Sequence, residues 1–157
     1  MEKILIGADQ WGLRLKNELA SYLAKKGYEV VDIGTKDESK PIPYFKVAAD
    51  AAKRIQKHEA ERAVLCCGTG MGMAIVANKF KGIYAAVIES ELAAQKSKTV
   101  NNANVLTMGF EMISFPKART ALDLWLNKSH TEGLEEIGDF LKEGLAEIEG
   151  IEEKNFR

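Results

Sequence analysis

Arg62-Ala63-Val64-Leu65-Cys66-Cys67-Gly68-Thr69-Gly70-Met71-Gly72-Met73 is the stretch that decides how this chain is read. Arg62 to Cys66 has the apolar run of a buried strand, and Met73-Ala74-Ile75-Val76-Ala77 supplies apolar residues for a helix. A strand that passes through alternating glycines straight into a helix places its loop at the strand's C-terminal end. Gly68, Gly70 and Gly72 can take positive φ and let a ligand approach the main chain, so successive N–H groups suit a phosphate or an enediolate oxygen. The same positive partial charge favours a thiolate, which makes Cys67 a candidate base. The plainer reading of these residues is a tight strand-to-helix connection with a buried cysteine. The loop lacks the G-x-G-x-x-G spacing of a dinucleotide fingerprint, and no Lys-Ser/Thr follows its last glycine as a Walker loop requires.

The 157 residues suit one globular domain spanning 1–157, and a net charge of −1 gives no general attraction to nucleic acid or to an anionic membrane. The chain opens directly into strand-like Lys3 to Gly7, and no apolar run reaches the roughly 18 residues of a spanning helix. A cytoplasmic protein with neither nucleic-acid nor membrane partners is expected. The only cysteines, Cys66 and Cys67, are adjacent and point to opposite faces of a strand, so neither a structural disulfide nor a metal site is expected. His58 and His130 read as surface or helix-end residues.

Working outward, Lys3–Ala8, Glu29–Ile33, Ile83–Ile88 and Asn104–Met108 read as further strands. Leu13–Lys26, Ile42–Lys57, a segment ending near Phe80, Glu91–Thr99 and Pro116–Leu126 read as helices. A last amphipathic helix is expected over Gly133–Glu149, with Leu134, Ile137, Phe140, Leu141, Leu145 and Ile148 on one face. The alternation predicts an α/β fold of three layers, a five-stranded parallel Rossmann-like sheet between helices plus the C-terminal helix. Ligands of such sheets sit beyond the strand C-termini where strand order reverses, which singles out Asp9–Gly12, Gly34–Pro43, Cys67–Gly72, Glu89–Ser90 and Gly109–Phe110. Gly34 to Pro41 reads as a mobile loop near the site mouth.

Four pieces taken together resemble the type B ribose-5-phosphate isomerase and galactose-6-phosphate isomerase family. They are Ile6 to Gly12 with Arg14-Leu15-Lys16; Gly27 to Thr35; Cys67 to Gly72 with Ala77-Asn78-Lys79 and Gly82-Ile83; and Asn101 to Leu106 followed by Gly109. The resemblance covers roughly residues 3 to 130. It implies an aldose–ketose isomerase that works through a cis-enediolate without metal or cofactor, on a small-molecule sugar or sugar phosphate. By this resemblance Cys67 is the base and Thr69 moves a proton between the two substrate oxygens. The amides of Gly68, Gly70, Met71 and Gly72, with Asn101, steady the oxyanion, and Asp9 holds a sugar hydroxyl. Gln10 and Tyr44 are further candidate substrate contacts. The family implies a homodimer or homotetramer, or a heteromer with a paralogue, with the site at a subunit boundary and the C-terminal helix packed there.

The chain also departs from the family. Its usual Asp-His pair is Asp9-Gln10 here, and the histidine assigned to opening the sugar ring is Val100. The arginines that grip phosphate are replaced by Glu111, by Tyr84 and by the acidic run Thr131 to Asp139. A dianion near Glu111 or Glu135 is repelled by roughly 1 kcal/mol or more per close pair. The expected reading is an isomerase whose substrate is open-chain or non-phosphorylated. The rivals are a phosphate held by Arg14, Lys96, Lys98 or a partner chain, and a non-catalytic subunit of a heteromeric isomerase.

Overall fold

The computed structural model describes residues 1–156. In chain order its elements are β1 (Lys3–Ala8), α1 (Leu13–Lys25), β2 (Glu29–Asp32), α2 (Tyr44–Gln56), β3 (Arg62–Cys67), α3 (Met71–Ala77), β4 (Ala85–Val87), α4 (Glu91–Thr99), β5 (Val105–Gly109), α5 (Phe115–Leu126), a short 3₁₀ turn at Glu135–Ile137, and α6 (Gly138–Asn155). The five strands pair in parallel in the order β2-β1-β3-β5-β4. This is the predicted three-layer sheet.

The period of two splits the sheet's side chains between two cores. Ile4, Ile6, Ala8, Val64, Cys66, Leu106 and Met108 face α1, α4 and α5, where they meet Leu19, Ala94, Leu122 and Trp125. Leu5, Ala63, Leu65, Cys67 and Val105 face α2 and α3, against Val47, Ala51, Met73 and Ala77. Full burial of a side chain such as Leu19 or Leu106 stabilises by about 1.5–3 kcal/mol. Trp125, the largest buried residue, satisfies its indole by donating to the Ala103 carbonyl at 3.0 Å.

Several boundaries differ from the sequence reading. β4 is three residues long, and the Asn78 side chain caps its open edge at Ala85, accepting its N–H at 2.8 Å and donating to its carbonyl at 2.9 Å. α3 stops at Ala77 because the chain tightens, Lys79 bonding Val76 and Phe80 bonding Ala77. β5 is assigned from Val105, one residue later than expected, and the Asn104 side chain just before it accepts the Tyr84 N–H and donates to the Gly82 carbonyl. α6 cannot begin at Gly133, whose φ is +72°; it starts at Gly138 and runs on to Asn155. Only Gly138 and Leu141 of α6 are buried, so most of its apolar face has no partner within the chain.

β1 and β3 are neighbours whose connections leave in opposite directions, so the crevice between them is the topological switch point. The turn after β1 lies flush on β3: a Cβ on Gly12 would stand 2.3 Å from the Cys66 carbonyl carbon and oxygen. Only glycine permits that approach.

Candidate active site

Cys67 is the last residue of β3 and lies at the floor of the switch-point crevice, 5% exposed. Its Sγ accepts a hydrogen bond from the Gly70 N–H at 3.0 Å. That contact needs Gly70 at φ +81°, a region a side chain disfavours. Cys66, one residue earlier, is fully buried on the other face, and burial pushes its thiol well above the ordinary cysteine range. The two adjacent cysteines thus belong to opposite faces of the sheet.

The loops after β3 and β5 are zipped together. Phe110 N–H bonds the Cys67 carbonyl at 2.9 Å, and Glu111 N–H bonds the Gly68 carbonyl at 3.0 Å. Thr69 Oγ1 accepts the Met71 N–H at 3.3 Å, so its hydroxyl proton stays available. Among the described residues no acceptor engages the amides of Gly68, Thr69 and Gly72. α3 has only seven residues, so an anion at this loop would meet these open amides rather than the dipole of a long helix.

Asp9 borders the crevice from β1. Its Oδ1 accepts the N–H groups of Trp11 (2.9 Å) and Gly12 (3.0 Å). Burial nevertheless outweighs those bonds and raises its pKa above the usual carboxylate value. Oδ2 has no partner among the described residues. A cavity of about 250 Å³ is lined by Asp9, Gln10, Trp11, Pro41, Ile42, Pro43 and Tyr44. Tyr44 joins this cavity to the cysteine loop, since a Cβ on Gly72 would stand 2.7 Å from its ring. Trp11 does the same beside Gly68.

A buried cation holds the cavity wall. Lys16, with no exposed surface, donates to Asp32 Oδ2 and to the Thr35 carbonyl, both at 2.7 Å. Thr35 Oγ1 in turn accepts the Ile42 N–H at 2.8 Å, closing the base of the Gly34–Pro41 loop. In the sequence, the only signal of this role is the place of Lys16 on the buried stripe of α1 with Leu19 and Leu23.

Asp9, Gln10, Tyr44, Cys67, Gly68, Thr69, Gly70, Met71 and Gly72 therefore gather at one edge of the sheet. Asn101 does not join them within this chain. α4 runs antiparallel to the strands and returns the chain to their N-terminal edge, so Asn101 stands at the far end, in a cavity of about 210 Å³ with Val100, Phe140, Leu141, Gly144, Leu145 and Ile148. The parallel alternation already implies this, since a residue between a helix and the next strand lies at the strands' N-terminal edge.

A family model described as Ribose/Galactose Isomerase matches residues 4–138. The chain is 49% identical over 156 residues to a 4-deoxy-4-sulfo-D-erythrose isomerase of Clostridium sp. (strain MSTE9), covering 99% of this chain and 98% of that one. It is 37% identical over 133 residues to a D-erythrulose-4-phosphate isomerase of Pectobacterium atrosepticum, covering 85% and 88%. In three dimensions it superposes on the ribose-5-phosphate isomerase B of Clostridium thermocellum with a TM-score of 0.89 and 35% identity, over 98% and 99% of the two chains. The chain belongs to the ribose/galactose isomerase family and is an aldose–ketose isomerase.

Proposed function

We propose that this isomerase interconverts a four-carbon aldose and its 2-ketose carrying a sulfonate on C4, 4-deoxy-4-sulfo-D-erythrose being the aldose. The observation that carries the reading is an intact enolising loop, with Cys67 hydrogen-bonded by Gly70, in a chain whose ring-opening and phosphate-gripping positions are Val100, Tyr84 and Glu111. A sugar with sulfur on C4 has no C4 hydroxyl to add to its carbonyl. It stays open-chain, and an imidazole that opens rings has nothing to do. A sulfonate is also a monoanion, so it asks for fewer cations than a phosphate. The relative named for this sugar supports the same substrate.

In the forward direction the Cys67 thiolate takes the proton from C2 of the aldose, and O1 gains the charge of a cis-enediolate steadied by the open amides of Gly68, Thr69 and Gly72. Thr69 passes the O2 proton to O1, and the Cys67 thiol returns its proton to C1. C2 is then a carbonyl and C1 a hydroxymethyl group. The free Oδ2 of Asp9 accepts a bond from a substrate hydroxyl, and Gln10 and Tyr44 border the same space.

The working unit in this reading is a homodimer in the cytoplasm. Exposed Trp11, Met71, Ile75, Phe110 and Met112 rim the cysteine loop at one end, while Phe140, Ile148 and Ile151 of α6 lie bare beside Asn101 at the other. Apolar patches of this kind mark interfaces. A twofold pairing that lays each α6 over the partner's rim buries both patches and brings each Asn101 to the other copy's Cys67.

Solvent-deuterium exchange followed by proton NMR tests the reaction. Exchange at C1 of 4-deoxy-4-sulfo-D-erythrulose, abolished by Cys67→Ala, is the expected result. Exchange confined to pentose or hexose phosphates would sink the proposal.

A further inference from the structure

We propose that Glu111 sets this enzyme's choice of anion: its carboxylate, at the mouth of the amide loop, rejects a terminal phosphate dianion and admits a monoanionic sulfonate. The inference rests on the function proposed above and says how that site discriminates.

The backbone places the residue. Glu111 N–H bonds the Gly68 carbonyl at 3.0 Å, which locks the loop after β5 onto the loop after β3. A Cβ on Gly68 would stand 3.7 Å from Glu111 Oε1, 3.9 Å from its Cδ and 3.8 Å from the Trp11 Cβ. The carboxylate therefore stands over the glycine that follows the candidate base. It makes no ion pair or side-chain hydrogen bond with any described residue, so its charge is not spent inside the chain. A nearby cation, Arg14, has its guanidinium 6.0 Å from the centroid of the adjacent Phe110 ring and shares its charge with Glu18 at 3.6 Å.

A four-carbon chain whose C1 and C2 lie at Cys67 is too short to carry its terminal charge beyond the screening distance of about 8 Å from such a carboxylate. Coulomb repulsion scales with the substrate's charge, so a phosphate dianion is opposed about twice as strongly as a sulfonate. The cost to the sulfonate is real but smaller, and specificity is the difference between the two. Where the family's arginine attracts, the carboxylate excludes.

The test compares kcat/KM for 4-deoxy-4-sulfo-D-erythrulose and D-erythrulose 4-phosphate in the wild type and in Glu111→Gln. The phosphate-to-sulfonate ratio should rise by about tenfold in the variant. A second measurement needs no variant: raising ionic strength from about 20 mM to about 0.5 M should raise the same ratio in the wild type, because screening weakens the larger repulsion more. An unchanged ratio in both experiments, or a wild type that prefers the phosphate, overturns the inference while leaving the isomerase reading in place. Turnover of neither tetrulose by the wild type removes the proposed function, and this inference falls with it.

Discussion

The Gly70 N–H points at the Sγ of Cys67 from 3.0 Å, and the same glycine turn holds the neighbouring amides open. Donor and candidate base lie three residues apart, so one loop both fixes the sulfur's position and leaves amides open beside it. This coupling makes Cys67 the residue to test first.

Cys67→Ser should lower kcat by about 10³-fold with little change in melting temperature, because a hydroxyl fits the same turn but is a far weaker base. In the wild type, iodoacetamide should label Cys67 and spare the fully buried Cys66, and substrate should slow the labelling. Peptide mass spectrometry reads both.

Asp9 opposes stability and serves function. Its carboxyl binds a proton more tightly in the folded state than in the unfolded chain, because burial raises its pKa. The stability it contributes is present below the unfolded value and lost as pH rises through the folded value. Asp9→Asn, which can still accept the Trp11 and Gly12 N–H groups, should therefore melt a few degrees higher at pH 7, with the gain shrinking as the acid range is entered. The same change should reduce kcat/KM by about tenfold or more. Calorimetry across pH and steady-state assays together check the opposing signs.

Gly72→Ala should push the Tyr44 ring out of the crevice, because the new methyl would stand 2.7 Å from it. KM should rise by about tenfold. Combining it with Tyr44→Ala should add little to Tyr44→Ala alone, and a double-mutant cycle that returns additive losses would show that the two do not act through this contact.

Co-expressing Cys67→Ala with Asn101→Ala tests a site shared between copies. Each variant alone should be strongly impaired. A random mixture is half heterodimer with one of two sites intact, so activity should return to about a quarter of wild type. No recovery would place Asn101 outside the partner's site.

Val100→His should extend turnover to sugars that cyclise and carry no phosphate, such as free pentoses, if the missing imidazole is what restricts the substrate. Progress curves with D-ribose check it, and no gain would count against the ring-opening argument.

Much of the arrangement was readable in advance because it depends on short-range periodicity. A run of apolar residues feeding glycines and then a helix announced the βα unit at Cys67, and the alternation of strands assigned Cys66 and Cys67 to opposite cores. Less readable were the side chains that bond the backbone at strand ends, as Asn78 does at Ala85 and Asn104 at Tyr84. Such bonds depend on what lies across the sheet, which local pattern does not encode.

By itself, the sequence determined the parallel α/β sheet, the glycine loop and the candidate base, because each follows from residues adjacent in the chain. Tertiary structure alone decided that the Glu111 carboxylate overhangs Gly68 and that buried Lys16 braces the cavity wall. The physical reason is that strand order and register join segments tens of residues apart. That joining sets which charges and donors face one another.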